Sequence, residues 1–133
     1  MRAFADTNVL IYALGDGPKA EIAQRIIDAG GVLSVQSLNE FTSVMRRKLK
    51  FDWDATKRAL LALEIQFAEI ISLDFDVHRH GLDIAERSNL SIYDAMIVAA
   101  ALRADCDTLY SEDMHDGLVI DGRLRIVNPF ATA

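Results

Sequence analysis

The chain has 133 residues, 51% hydrophobic and 26% charged, with 7 glycines, 2 prolines and 1 cysteine. That length suits a single compact domain over 1–133, and that composition excludes collagen, low-complexity linkers and intrinsic disorder. The formal net charge of −6 argues against non-specific nucleic-acid binding, which draws on an excess of lysine and arginine. Ala3-Phe4-Ala5 reads as a short buried strand ended by the polar triplet Asp6-Thr7-Asn8. Val9 to Leu14 starts a helix that Gly15-Asp16-Gly17-Pro18 stops. Lys19 to Ala29 carries a helical stripe closed by Gly30-Gly31, and Val32-Leu33-Ser34-Val35 fits a second strand. Leu38, Phe41, Val44, Met45 and Leu49 recur at helical spacing, Ala55 to Glu69 is a longer helix, and Ile70 to Leu73 is a third strand. Asp76 to Ser88 is helical. Tyr93 to Leu102 is apolar nearly all round, which predicts a helix at the domain centre. Thr108-Leu109-Tyr110 is a fourth strand and Leu124 to Val127 a fifth.

Short apolar strands alternating with helices indicate βαβ units, hence a mainly parallel sheet in a three-layer α/β/α arrangement. No apolar run approaches the ~20 residues of a membrane span. Asp6 interrupts any secretory leader, so a cytoplasmic protein is expected.

In open parallel sheets, ligands bind beyond the carboxyl ends of the strands. Asp6 ends the first strand and Asp113 follows the fourth, so both acids emerge at one edge if those strands are central. Glu40 and Asp94 fall in the first turns of their helices, whose N-termini face the same edge. Four carboxylates in one crevice repel one another unless a cation is present. Oxygen-only ligation suits a hard ion, Mg²⁺ or Mn²⁺, which activates water for attack on a phosphodiester. A structural reading stands beside this one. Ser37-Leu38-Asn39-Glu40 and Ser91-Ile92-Tyr93-Asp94 have the spacing of capping boxes, and Asp6 can begin a turn with Asn8.

Asp6-Thr7-Asn8, Leu38-Asn39-Glu40-Phe41, Tyr93-Asp94-Ala95 and Ser111-Glu112-Asp113 occur in the order shown by PIN-domain ribonucleases. The chain resembles in particular the VapC-type toxins of bacterial toxin–antitoxin pairs, from about residue 2 to 130. The resemblance implies a PIN-like fold. It implies that Asp6, Glu40, Asp94 and Asp113 bind Mg²⁺ or Mn²⁺ and that RNA is hydrolysed to a 5′-phosphate and a 3′-hydroxyl. It implies supporting roles for Thr7, Asn8 and Ser111, the last replacing a more usual threonine. A small antitoxin partner, seated in an apolar groove between early helices, and a homodimer follow from the same likeness.

Two other classes compete. A phosphoaspartyl receiver or phosphatase also places an aspartate at a strand end. The phosphatases need a second acid two residues on, where this chain has Asn8, and a receiver needs a lysine that Ser111-Glu112-Asp113 does not offer. A non-enzymatic scaffold would use the acids only as caps. Arg46-Arg47-Lys48 with Lys50 is the densest basic run, either a solvated helix face or a rim for RNA phosphates. His78 and His80 point apart on a helix, and His115 and Asp116 belong to a loop. Cys106 reads as an inert buried thiol, and Trp53 as packing at a helix start.

Overall fold

In the computed structural model, which describes residues 2–132, the elements run β1 (Ala3–Ala5), α1 (Thr7–Tyr12), α2 (Pro18–Asp28), β2 (Val32–Ser34), α3 (Val35–Arg47), α4 (Trp53–Gln66), β3 (Glu69–Ile71), α5 (Phe75–Ser88), α6 (Ile92–Arg103), β4 (Thr108–Tyr110), β5 (Val119–Ile120) and β6 (Leu124–Val127). The strands form one sheet in the order β3-β2-β1-β4-β6-β5. All neighbours are parallel except β5, which pairs antiparallel with β6. The mainly parallel sheet matches the expectation from the alternating pattern.

Side chains alternate across each strand, and that alternation divides the core in two. Phe4, Val32, Ile71 and Leu109 face α5 and α6, while Ala5, Leu33, Ile70 and Tyr110 face the layer of α1 to α4. Helix α6 buries Ala95 and every residue from Ile97 to Leu102. It is apolar all round because it packs against the sheet, α5 and α3 together. Gly81 lets α5 approach closely, since a Cβ there would stand 2.8 Å from Met96 Sδ.

Several boundaries differ from the sequence reading. Val35 does not continue β2. Ser34 caps α3 by accepting from Ser37 N–H, so the helix begins at Val35 and Glu40 lies in its second turn, not its first. The capping box expected at Ser37–Glu40 is therefore absent. The Ser91 cap is present, with Ser91 Oγ accepting from Asp94 N–H at 3.1 Å. Helix α4 stops at Gln66, short of Glu69, because buried Phe67 turns extended to feed β3. A sixth strand, β5, is two residues long, too short for any alternation to reveal. It returns to β6 through Asp121 and Gly122, both at positive φ.

The strand order reverses around β1 and β4. From β1 the chain builds outward through β2 and β3, and β4 then starts the other wing. A crevice forms at such a switch point, at the carboxyl ends of the strands.

Candidate active site

Two backbone hydrogen bonds set the floor of this crevice. Asp6 N–H donates to Tyr110 O at 2.9 Å, and Ser111 N–H donates to Val127 O at 3.0 Å. They extend the parallel ladder one step past β1 and β4 and put Asp6 beside Ser111. Ser111 Oγ donates to Asp6 Oδ2 at 2.7 Å. The other carboxylate oxygen, Oδ1, accepts from Thr7 N–H at 2.7 Å and caps α1. Asp6 therefore caps a helix with one oxygen and turns the other to its neighbours.

Asn8 is the hub. Its Nδ2 reaches Asp6 Oδ2 at 3.3 Å and Asp113 Oδ2 at 3.1 Å, and its Oδ1 accepts from Glu112 N–H at 3.2 Å. Thr7 Oγ1 donates to Glu40 Oε1 at 2.9 Å, and Gln36 Nε2 donates to Glu40 Oε2 at 2.8 Å. Four elements thus deliver the acids: the end of β1, the middle of α3, the first turn of α6 and the loop after β4. Asp6 is only 4% exposed, Glu40 and Asp94 are half-buried, and Asp113 is exposed.

Burial and neighbouring acids raise two of these carboxyls. Burial, with Asp94 and Glu40 adding repulsion, pushes the Asp6 carboxyl up to about 6, against the opposing hydrogen bonds from Ser111 and Thr7. Asp94 is also raised, by burial first and then by the charges of Glu40 and Asp113. No basic side chain is among the groups that chiefly set either acid. Glu112 behaves in the opposite way. Lys19 and Tyr12 bond both of its oxygens and hold it below the usual carboxylate range.

An anionic set of carboxylate oxygens with hydroxyl and amide neighbours, in which no basic group chiefly sets Asp6 or Asp94, fits a hard divalent cation. As the side chains stand, no three carboxylate, imidazole or thiolate groups among the described residues close around one point. Hydrogen bonds explain that: Thr7 and Gln36 occupy both oxygens of Glu40, and Asn8 stands between Asp6 and Asp113.

A cleft of roughly 600 Å³ opens beside Glu40 and Asp113, while Asp6 and Asp94 are not in its lining. Thr7, Asn8, Glu40 and Asp113 line its polar end, and Ile11, Val44 and Leu49 its apolar flank, with Lys48 on the rim. The basic run divides here. Arg46 is occupied, its guanidinium 4.3 Å from the Trp53 ring centroid and its Nη1 donating to Phe51 O at 2.8 Å. Arg47 and Lys50 are exposed. Trp53 opens α4, the helix start expected of it, yet is 55% exposed and carries Arg46 on its face. Asp116 serves the loop, accepting from Asn128 N–H at 2.8 Å. Cys106 is buried and its thiol is pushed up to about 11 by that burial. His80 lies 4.0 Å from Asp121, remote from the cleft lining.

Lys19, Tyr12 and Gln36 carry no signal in the sequence that marks them as part of the site, whereas Glu112 stands within the Ser111-Glu112-Asp113 motif. Each acts through one partner distant in the chain or through a single acid, and no periodicity marks such a pair.

The sequence matches the PIN domain family model over residues 3–115. A toxin–antitoxin complex from Klebsiella pneumoniae is similar at 24% identity and a TM-score of 0.71, covering 96% of this chain and 97% of that one. VapBC-1 from nontypeable Haemophilus influenzae is similar at 17% identity and a TM-score of 0.67, covering 98% and 99%. VapC20 of Mycobacterium tuberculosis, described as a toxin that cleaves the sarcin-ricin loop, is similar at 18% identity and a TM-score of 0.65, covering 84% and 89%. At these identities the likeness is one of fold. No curated protein matches the sequence. Because the family model spans most of the chain, from β1 to the loop that bears Asp113, the chain belongs to the PIN domain family.

Proposed function

We propose that this chain, as a single PIN-type domain, is a Mg²⁺- or Mn²⁺-dependent endoribonuclease and the toxin half of a toxin–antitoxin pair. One observation carries the reading. A nearly buried carboxylate, Asp6, is kept beside Asp94 and Glu40, and no basic residue is among the groups that chiefly set Asp6 or Asp94. A fold selected for stability alone would not keep that repulsion.

Asp6, Glu40, Asp94 and Asp113 would hold the ion or ions. When bound, a hard divalent cation supplies activation of water near neutral pH and offsets charge on the scissile phosphodiester. The chain's own groups do the rest. Ser111 Oγ and Thr7 N–H fix the Asp6 carboxylate through one hydrogen bond to each oxygen. Thr7 Oγ1 and Gln36 orient Glu40. Helix α6, locked in the core, holds Asp94 in its first turn. Lys48, at the rim, with exposed Arg47 and Lys50 nearby in sequence, would meet the phosphates of the strand and reconcile an acidic protein with a polyanion. Cleavage leaves a 5′-phosphate and a 3′-hydroxyl. The apolar flank of Ile11, Val44 and Leu49 offers a small antitoxin a groove that ends at the acids. The VapBC and toxin–antitoxin descriptions of the similar structures support that partner, and the family likeness extends the reading to a homodimer.

The test compares wild type with Asp94→Asn on RNA, each with Mn²⁺ and with EDTA. The amide keeps the side chain's volume and removes its charge. Wild type is expected to cleave only with metal, and Asp94→Asn to be inactive. Equal rates for the two proteins would refute the site assignment.

A further inference from the structure

Lys19 sits where a cation is least at home. It is the second residue of α2, at the positive end of the helix dipole. Its Nζ donates to Glu112 Oε2 at 2.7 Å and to the Tyr12 hydroxyl at 3.3 Å, and Tyr12 donates to Glu112 Oε1 at 2.5 Å. The ammonium also stands 4.8 Å from the Tyr12 ring centroid and 5.9 Å from that of Phe130. Those two rings tilt against each other at 4.7 Å. Helices α1 and α2, the loop after β4 and the C-terminal segment therefore meet at one carboxylate.

That carboxylate lies between Ser111 and Asp113. The Glu112 backbone N–H is held by Asn8 Oδ1, and Asn8 Nδ2 reaches Asp6 and Asp113. The loop thus has two tethers, Asn8 on the acid side and the Lys19–Tyr12 pair on the other. Asp113 is exposed, belongs to no helix or strand, and receives its hydrogen bond from Asn8 alone among the described residues. An exposed loop carboxylate cannot keep ligand geometry without support from the residues around it. Half-exposed ion pairs of this kind contribute little to stability, so stability gives a weak reason for keeping a lysine at this position.

We propose that the Lys19–Tyr12–Glu112 clamp is a positioning device for the nuclease site: Tyr12 and Glu112 line the cleft, and Lys19, which does not, bonds both and so sets the 111–113 loop with Ser111 and Asp113 facing Asp6. The proposal rests on the metal-nuclease reading above. It separates the three consecutive residues by role. Ser111 braces, Glu112 anchors and Asp113 ligates.

The experiment uses the full chain as wild type, Lys19→Met and Lys19→Arg. Mn²⁺ binding is read by titration calorimetry, RNA cleavage by kcat and KM, and folding by Tm. Lys19→Met is expected to weaken Mn²⁺ binding and lower kcat by about tenfold each, the usual cost of losing support behind a ligand. KM for RNA should stay within about twofold, because Lys19 itself does not line the cleft. Tm should barely move, and Lys19→Arg should recover most of both losses. Unchanged Mn²⁺ affinity and kcat in Lys19→Met would overturn the clamp. So would a loss that follows Tm and that arginine does not recover. A wild type that neither binds Mn²⁺ nor cleaves RNA overturns the nuclease reading and the clamp together, whereas an active, metal-binding wild type leaves Lys19→Met to decide the clamp alone.

Discussion

Asp6 and Asp74 do the same local job with opposite electrostatics. Each accepts a backbone N–H at the start of a helix, from Thr7 in α1 and from Val77 in α5. The Val77 N–H and the Arg103 guanidinium hold the Asp74 carboxyl below its usual range. Burial beside Asp94 and Glu40 pushes Asp6 up to about 6. The contrast extends to their surroundings. Arg87 serves Asp83 and Asp121, and Arg123 serves Asp105, whereas Asp6 and Asp94 have no such partner among the groups that chiefly set them. A capping role therefore does not by itself exclude a site role for an aspartate. In Asp6 one oxygen caps α1 while the other faces Ser111 and Asn8.

The sharpest way to break this contrast is Asp6→Asn. RNA cleavage should fall at least about a hundredfold, since a catalytic ion is worth several kcal/mol and each 1.36 kcal/mol is a factor of ten. The same change should raise the stability of the metal-free protein at neutral pH. The folded carboxyl titrates at about 6, above its ordinary 3.8. Its contribution to stability is thus present below 3.8 and lost as pH rises through 6, by up to about 3 kcal/mol. Urea unfolding of both proteins from pH 4 to pH 7 checks this. An asparagine variant that shows the wild-type pH slope would place that slope elsewhere.

Metal addition should reverse the penalty. Mn²⁺ at about 100 times its dissociation constant should stabilise wild type by about 2.7 kcal/mol, read as a rise in Tm, and should do little for Asp6→Asn. Asp74→Asn is the converse case. It should lower Tm by a few degrees at neutral pH and leave cleavage unchanged. Because the Asp74 carboxyl is lowered, its contribution is present above 3.8 and lost in acid, so mutant and wild-type melting curves should converge there. The smallest effect is expected at the rim. Arg47→Ala with Lys50→Ala should reduce the slope of log K for RNA against log salt by about 0.7 for each phosphate that the protein no longer neutralises. An unchanged slope would make these two residues an ordinary solvated face.

Much of the fold was legible because it is written in local periodicity. The run Ala3–Ala5, the stripe of α2 and the all-apolar α6 each announce themselves within a dozen residues. The boundaries that moved were settled by caps and by distant pairing. Ser34 claimed Val35 for α3, and the pairing of β3 with β2 claimed Glu69 for the sheet. The acids could be named from their places after strands and near helix starts. Thr7, Asn8 and Ser111 beside them came with the family motifs, but Gln36, Lys19 and Tyr12 could not be read, because they matter only through Glu40 and Glu112. Arg46 looked like a free cation in sequence and is committed to Trp53 in space.

The two margins of the sheet have a consequence for assembly. One margin is β3, three residues long, where exposed Glu69 is paired with Arg2. The other is β5, two residues long. Neither presents a long row of vacant amides and carbonyls on which a foreign strand could zip. Even at high concentration the protein has little to template edge-to-edge aggregation, and whatever associates with it is left to recognise side chains on its helices and in its cleft.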